Sequence, residues 1–388
     1  MNTAFESLVW QKNQVTVRNN PEGAPSFHRS LKEQLLAVLS TGTFSDTFYT
    51  SSNELVKEAF EVITEARNVC PHFLARALVW AREEGMMKTL PVTGLAILSA
   101  GGGQTKDLFE QAFPRVVKTP DDLRSFVSTV ISGVIPGRKG LGGMTVEPVR
   151  DFCANISEYH ALKYGSANSK DVTLRDIIRM AHPRPATLQA SERLGWLTRG
   201  KRALGENQGL NPRIRSFETL KNTTAESEVI ALVREGGLPF EVVVPSLKKT
   251  TTAIWSEILK QAPYTNLLRN LEASTRHGVF VEDENVRYAV SRLTDPESIK
   301  RSRVLPFRFF NAWKVYSENP EKDSRIADAL RSALNLSFSN MPSLGDRKIA
   351  IGPDVSGSMG SRMTSSEGTA RFIDIAGIFT GALLKRIE

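Results

Sequence analysis

The chain has 388 residues, 40% of them hydrophobic and 24% charged, with no compositionally biased tract; this excludes a disordered or fibrous protein and exceeds the usual size of one core. Its two cysteines, Cys70 and Cys153, exclude a disulfide framework and predict a reducing, cytoplasmic setting, while no apolar run approaches the roughly 18 residues of a membrane span. Net charge is +8, from 50 Lys and Arg against 42 Asp and Glu, and the location of that excess says more than its size.

The N-terminal MNTAFESLVWQKNQ lacks a basic flank followed by an apolar stretch, so no secretory signal is expected. Leu31, Leu35, Leu36 and Leu39 then recur as one helical stripe. Similar patterning predicts helices near 51–67, 71–84, 119–133, 145–163, 223–235, 251–261, 264–275 and 322–336, with Pro71, Pro91, Pro120, Pro183, Pro239 and Pro263 at boundaries. Asn68–Gly85 and Lys88–Ser99 read as an antiparallel pair, burying Phe73, Ala77, Leu78 and Ala81 against Leu90, Leu95 and Leu98. Short helices, short loops and few strand-like runs predict a mostly α, HEAT-like helical-repeat array over residues 1–342, although no strict sequence period is present.

After Met341 the character changes. Pro342–Gly345 reads as a break, Lys348–Ile351 as a short buried strand, and a helix from about Ser365 carries Phe372, Ile375, Ala376, Phe379 and Leu383. Strand, loop and helix over 347–388 form the opening unit of an α/β domain. One such unit cannot bury its own faces, so it is expected either to pack on the helical part or to await a sheet that this chain does not contain. Mid-helix, Asp374 lies too far from the loop to join its ligands.

Two stretches carry chemistry. Between Lys163 and Lys221 there are twelve basic and five acidic residues, an excess of seven that accounts for nearly the whole net charge. Concentration of that kind points to a polyanionic partner. In the loop Asp354-Val355-Ser356-Gly357-Ser358, one carboxylate and two hydroxyls offer hard oxygens suited to weak Mg²⁺ binding, with Gly357 and Gly360 allowing a tight turn. The Gly-rich GRKGLGG at 137–143 lacks the G-K-[ST] ending of a nucleotide-binding loop.

DVSGSM at the end of an expected strand resembles the metal-ion-dependent adhesion site of von Willebrand factor A domains. The upstream chain is similar to the helical-repeat TROVE module of the Ro autoantigen family. The stretches that carry the likeness are ARALVWAREEGMMKTLP (75–91), GVIPGRKGLGG (133–143), TLRDIIRMAHPRP (173–185), LPFEVVVPSL (238–247), IWSEILKQAPYTNLLRNLEAST (254–275) and RVLPFRFFNAWKVY (303–316). The resemblance implies an RNA-binding protein rather than an enzyme. Its repeats would close into a ring, with small structured Y RNAs on the outer surface and single-stranded 3′ ends of misfolded RNAs in the hole. A 3′ exoribonuclease is an implied partner.

Carried over by position, His182, Arg175 and Lys163 fall where that family meets Y RNA. Lys170, Arg179 and Arg184 join them as phosphate contacts, and Arg138 and Lys139 match a further basic stretch. Asp354, Ser356 and Ser358 are the first-loop metal ligands, and the loops that complete such a site are expected beyond Glu388. Val172-Thr173-Leu174 and Pro353 depart from the family pattern, Pro353 by removing a ladder N–H at the strand end.

Each residue also has a structural reading. His182 can end a helix before Pro183, Arg138 and Lys139 can belong to a solvated turn, and Tyr159, Tyr164 and Trp196 can be core rather than base-stacking surfaces. His28, His72, His160 and His277 form no ligand spacing. Two other function classes stand beside RNA binding. One is a helical adaptor bridged to a protein through the metal loop. The other is a phosphohydrolase with Asp354 as nucleophile, which the absence of a second nearby carboxylate disfavours.

Overall fold

Many helices in this protein start where the sequence supplies a capping side chain or a proline. Thr119 and Asp122 form a reciprocal capping box, as do Ser30 and Glu33, and Pro71 and Pro120 each sit in the first turn of a helix. The computed structural model describes residues 17–19, 25–27, 29–42, 52–135, 140–165, 172–341, 345, 349–362 and 370–387. Two compact units divide at Leu210/Asn211.

The first unit opens with a short antiparallel pair, β1 (Val17–Asn19) and β2 (Pro25–Phe27), Val17 facing Phe27. Helices follow: α1 (Leu31–Thr41), α2 (Ser52–Val69), α3 (Pro71–Glu83), α4 (Thr89–Leu98), α5 (Lys106–Val116), α6 (Pro120–Ile131), α7 (Gly143–Ala154), α8 (Glu158–Gly165), α9 (Leu174–Ala181) and α10 (Leu188–Arg199). The predicted pair is α3 and α4, with Ala77, Leu78, Ala81, Leu90, Leu95 and Leu98 buried. Phe73 is only half-buried, beneath the Lys32 ammonium 5.3 Å from its ring. Gly94 lets the two helices close: a Cβ there would lie 2.4 Å from Leu78 Cδ2. Further along, Phe109, Phe113 and Phe126 pack ring against ring at 5.4–5.8 Å.

One device recurs. Arg82 on α3 donates through Nε to the Val116 carbonyl at the end of α5, 34 residues on, while its Nη2 pairs with buried Asp122 at 2.8 Å. Arg150 on α7 donates in the same way to Ala181 O at the end of α9, 31 residues on. Each guanidinium satisfies a helix-end carbonyl that has no partner within its own helix.

The second unit runs α11 (Pro212–Leu220), α12 (Glu226–Glu235), α13 (Phe240–Ser246), α14 (Thr252–Gln261), α15 (Tyr264–Arg276), α16 (Asp283–Leu293), α17 (Pro296–Ser302), α18 (Pro306–Glu318), α19 (Ser324–Leu336) and α20 (Phe372–Ile387). Its core gathers Trp255, Tyr264, Leu271, Val286, Leu293, Phe309, Tyr316 and Leu330. Trp255 stacks on His277 at 4.5 Å, and the Tyr264 hydroxyl donates to Leu293 O at 2.9 Å.

Three expectations change. The helix predicted over 145–163 is two, α7 and α8, because the chain turns at Asn155 and Ser157 then caps α8, accepting from His160 N–H at 3.2 Å. Ile349–Ile351 is not a strand, Lys348 lies outside the described residues, and Ile349 is 37% exposed. A strand needs a partner's ladder, and among the described residues of this stretch the only pairing is one bridge between Arg362 and Arg371. Third, Asp374 sits in the first turn of α20, tied to Arg371 at 3.0 Å and Lys314 at 3.5 Å, rather than mid-helix. Of the two arrangements expected, the structure has the first: the terminal helix packs on the helices before it. Phe379 lies 6.2 Å from Phe307 of α18, and Lys385 sits over Phe338 at 5.2 Å. Residues 349–387 therefore belong to the second compact unit. Among the described residues, no helix is long and apolar enough to cross a membrane.

Candidate functional site

The sequence that carries most of the predicted contacts, TLRDIIRMAHPRP, folds as α9 and the turn after it. Thr173 Oγ1 accepts from Asp176 N–H at 3.2 Å, and Asp176 Oδ2 accepts from the Thr173 amide at 3.0 Å and its hydroxyl at 2.5 Å. These bonds, Thr173's hydroxyl first, hold the Asp176 carboxyl below the usual range, with Arg179 and Arg175 adding to the effect. Leu174, Ile177, Ile178 and Ala181 are buried, so helical geometry turns Arg175 and Arg179 outward, one turn apart.

Two arginines from neighbouring helices fix the ends of α9. Arg124 Nε donates to Val172 O at 3.2 Å just before the cap, and Arg150 Nε donates to Ala181 O at 2.5 Å in the last turn. Their ion pairs are local: Arg124 with Asp121 at 3.5 Å, and Arg150 with Glu147. Sequence reasoning missed both arginines, since an inward guanidinium reads no differently from a solvated one. Among the described residues, Arg175, Arg179 and Arg184 are exposed and outside any salt bridge.

His182 has two features at once. Its backbone is left-handed (φ 50°, ψ 61°) and its N–H donates to Ile178 O at 3.0 Å, so it ends the helix as its structural reading required. Its imidazole is exposed beside Arg184 in sequence, at the open end of the basic face. Lys163 on α8 is half-buried, its ammonium 5.8 Å from the Tyr159 ring and 5.7 Å from Tyr164. His160 lies between those rings, at 5.9 and 6.0 Å; burial first, then Lys163, holds its pKa below the ordinary histidine value. Trp196 is buried core, which removes it as a stacking surface. Of the acids in the basic stretch, Glu192 is turned inward, accepting from Gly205 N–H at 2.7 Å. Arg138, Lys139 and Lys170 lie outside the described residues.

The structure thus brings Arg175, Arg179, His182 and Arg184 onto one helix and its exit, with Lys163 on an adjoining helix of the same unit. It presents guanidinium groups on a rigid element, an arrangement suited to phosphate oxygens.

The other predicted site also has a definite geometry. Asp354 Oδ1 accepts from Ser356 N–H at 2.8 Å, and Ser356 Oγ lies 3.1 Å from Ser358 Oγ, at the start of a 3₁₀ turn over Gly357–Gly360. Bonds from Ser356, backbone first, lower the Asp354 pKa. Asp354 and Ser356 are exposed and Ser358 is half-buried. Among the described residues no group of three or more His, Cys, Asp or Glu side chains is gathered for a metal.

The family model for the TROVE domain matches residues 242–325. A segment of 162 residues, 39% of the chain, is 32% identical to the RNA-binding protein RO60 of Caenorhabditis elegans and covers 25% of that protein. Over 88% of its length the chain is 27% identical to the RNA-binding protein RO60 of Deinococcus radiodurans, of which it spans 66%. Its fold matches the crystal structure of the Deinococcus radiodurans RO (RSR) protein with a TM-score of 0.71 at 20% identity, over 92% of this chain and 73% of that one. The helical architecture, the family match and these two relatives point the same way: the chain matches the TROVE domain over residues 242–325 and is similar to the Ro60 proteins over most of its length.

Proposed function

We propose that this chain is an RNA-binding protein of the Ro type, taking small structured, Y-like RNAs on the basic face built from α9 and the turn at His182–Arg184. The observation that carries the reading is the set of exposed guanidinium groups of Arg175, Arg179 and Arg184 on a helix anchored at both ends. Two relatives named as RNA-binding proteins support it. Binding would be mainly electrostatic, by phosphate neutralisation with counterion release and shape readout of folded RNA. Lys163 belongs to the same proposal, as do Arg138, Lys139 and Lys170, which lie outside the described residues and enter by resemblance alone. A ring cavity for single-stranded 3′ ends and a 3′ exoribonuclease partner complete the proposal, with no catalytic step by this chain.

The test is binding of a small structured RNA across a salt series. Replacing Arg175, Arg179 and Arg184 together by Gln should reduce the salt slope of log K by about 2–3, near 0.9 for each phosphate no longer neutralised. An unchanged slope and affinity would remove this surface from the interface.

A second reading, a helical adaptor, is favoured by the oxygens of exposed Asp354 and Ser356 and half-buried Ser358 beside Val355, which is 71% exposed. The donor set fits a hard cation, and bound Mg²⁺ would supply an open coordination position for a partner's carboxylate. With one carboxylate, already accepting a backbone N–H, these residues would hold it weakly. Partner capture that requires Mg²⁺ and survives the triple Gln change would favour the adaptor over RNA binding.

A further inference from the structure

The second unit holds a basic tract outside the surface proposed above. Between Ser298 and Ser317, SIKRSRVLPFRFFNAWKVYS contains five basic residues and no acid. Lys314 is taken up by Asp374 at 3.5 Å. Lys300, Arg301, Arg303 and Arg308 are exposed, all within nine residues that join α17 to α18.

The turn that carries them is built rather than loose. Ile299 is fully buried beneath it. Asn340 Nδ2 donates to Ile299 O at 3.0 Å and to Val304 O at 2.9 Å, and Ser302 Oγ donates to Ile299 O at 2.7 Å while accepting from Val304 N–H at 3.2 Å. Arg303 adopts the left-handed conformation (φ 53°), which turns the chain sharply between the two helices.

The electrostatics of this turn run against ordinary helix design. α18 has 13 residues, begins at Pro306, has no side-chain cap and has no acid in its first turn. Instead Arg308 sits in that turn, its guanidinium laid over the Phe307 ring at 4.9 Å. A helix N-terminus carries the positive end of the dipole and favours anions, so Arg308 in that turn is unfavourably placed. Lys300, Arg301 and the cap residue Arg303 complement the C-terminal end of α17, whereas Arg308 lies beyond that helix, in the first turn of α18. An anion seated on the turn would offset that unfavourable placement and meet amide and guanidinium donors together.

We infer that the turn Lys300–Arg308 is a second phosphate-binding site, which takes the backbone of an RNA strand independently of the α9 face. The inference rests on the proposed RNA-binding function and adds a contact in the other compact unit. The test uses the full chain with the double substitution K300Q/R301Q and, separately, R308Q, each compared with the α9 triple Gln variant in the same salt series. The double variant should lower the salt slope by about 1.4–1.8 and R308Q by about 0.7–0.9, with affinity falling several-fold at fixed salt. The three side chains are exposed, so thermal unfolding should shift by no more than the small helix-end charge terms, and R308Q alone decides the matter if the double variant does not fold. Wild-type slopes in both variants, alongside a reduced slope in the α9 variant, would overturn this site and leave the proposed function standing. No RNA binding by the wild-type chain would overturn both.

Discussion

His182 ends a helix through its backbone, and the proposed RNA contact would use different atoms of the same residue. Its backbone ends α9 in the left-handed region, where a non-glycine residue is held at a cost of about 1–2 kcal/mol, while its imidazole stands exposed beyond the helix. The two roles separate on substitution. His182→Gly should stabilise the protein by about 0.5–1 kcal/mol, because glycine adopts that conformation freely, yet weaken RNA binding by removing the imidazole. Urea unfolding and RNA titration on the same variant check both halves. A stability gain with unaltered affinity would leave His182 as a helix terminator alone. Sequence reasoning placed the residue correctly at the helix end, since Pro183 marked that boundary, while the resemblance alone marked it as an RNA contact.

At the scale of elements, apolar periodicity and proline boundaries made most helices legible, and the structure adds the caps. Thr173-x-x-Asp176 and Thr119-x-x-Asp122 announce starts, and the apolar spacing of Leu174, Ile177, Ile178 and Ala181 sets which face is hidden. The merger of α7 and α8 shows the limit. The apolar pattern continues through Ile156, which is buried, so periodicity carries no signal of the turn there. The expected strand at 348–351 failed differently, since an apolar run becomes a strand only if another backbone pairs with it. Arg124 and Arg150 were illegible, because their partners are backbone carbonyls of another helix. Their weight can be measured. Arg150→Met keeps the chain length and removes the donor to Ala181 O, and should cost about 1–3 kcal/mol in urea unfolding. RNA affinity should fall while the salt slope stays at the wild-type value, which distinguishes a positioning residue from a phosphate contact, the role proposed for Arg175. A reduced slope would instead make Arg150 a direct contact.

Across the whole molecule, charge counting located a basic region but could not say which cations face outward. Arg82, Arg124 and Arg150 count toward the +8, yet their guanidinium groups are spent on backbone and carboxylates inside the helical array. Conversely, the tract at Lys300–Arg308 is short enough to escape a survey of net excess, and only its built turn and uncapped helix bring it out. Cys153 offers a readout of global unfolding. Burial pushes its thiol up to about 12, so it should stay unmodified by a thiol reagent at neutral pH until the fold opens, whereas half-buried Cys70 reacts in the native protein. Labelling of both thiols at equal rates in native buffer would contradict this. The anchoring of α9 at both ends has a kinetic consequence. A helix held before the RNA arrives has no ordering step to complete, so association should follow a single phase whose rate constant falls with added salt. Dissociation, governed by contacts already desolvated, should depend on salt far less.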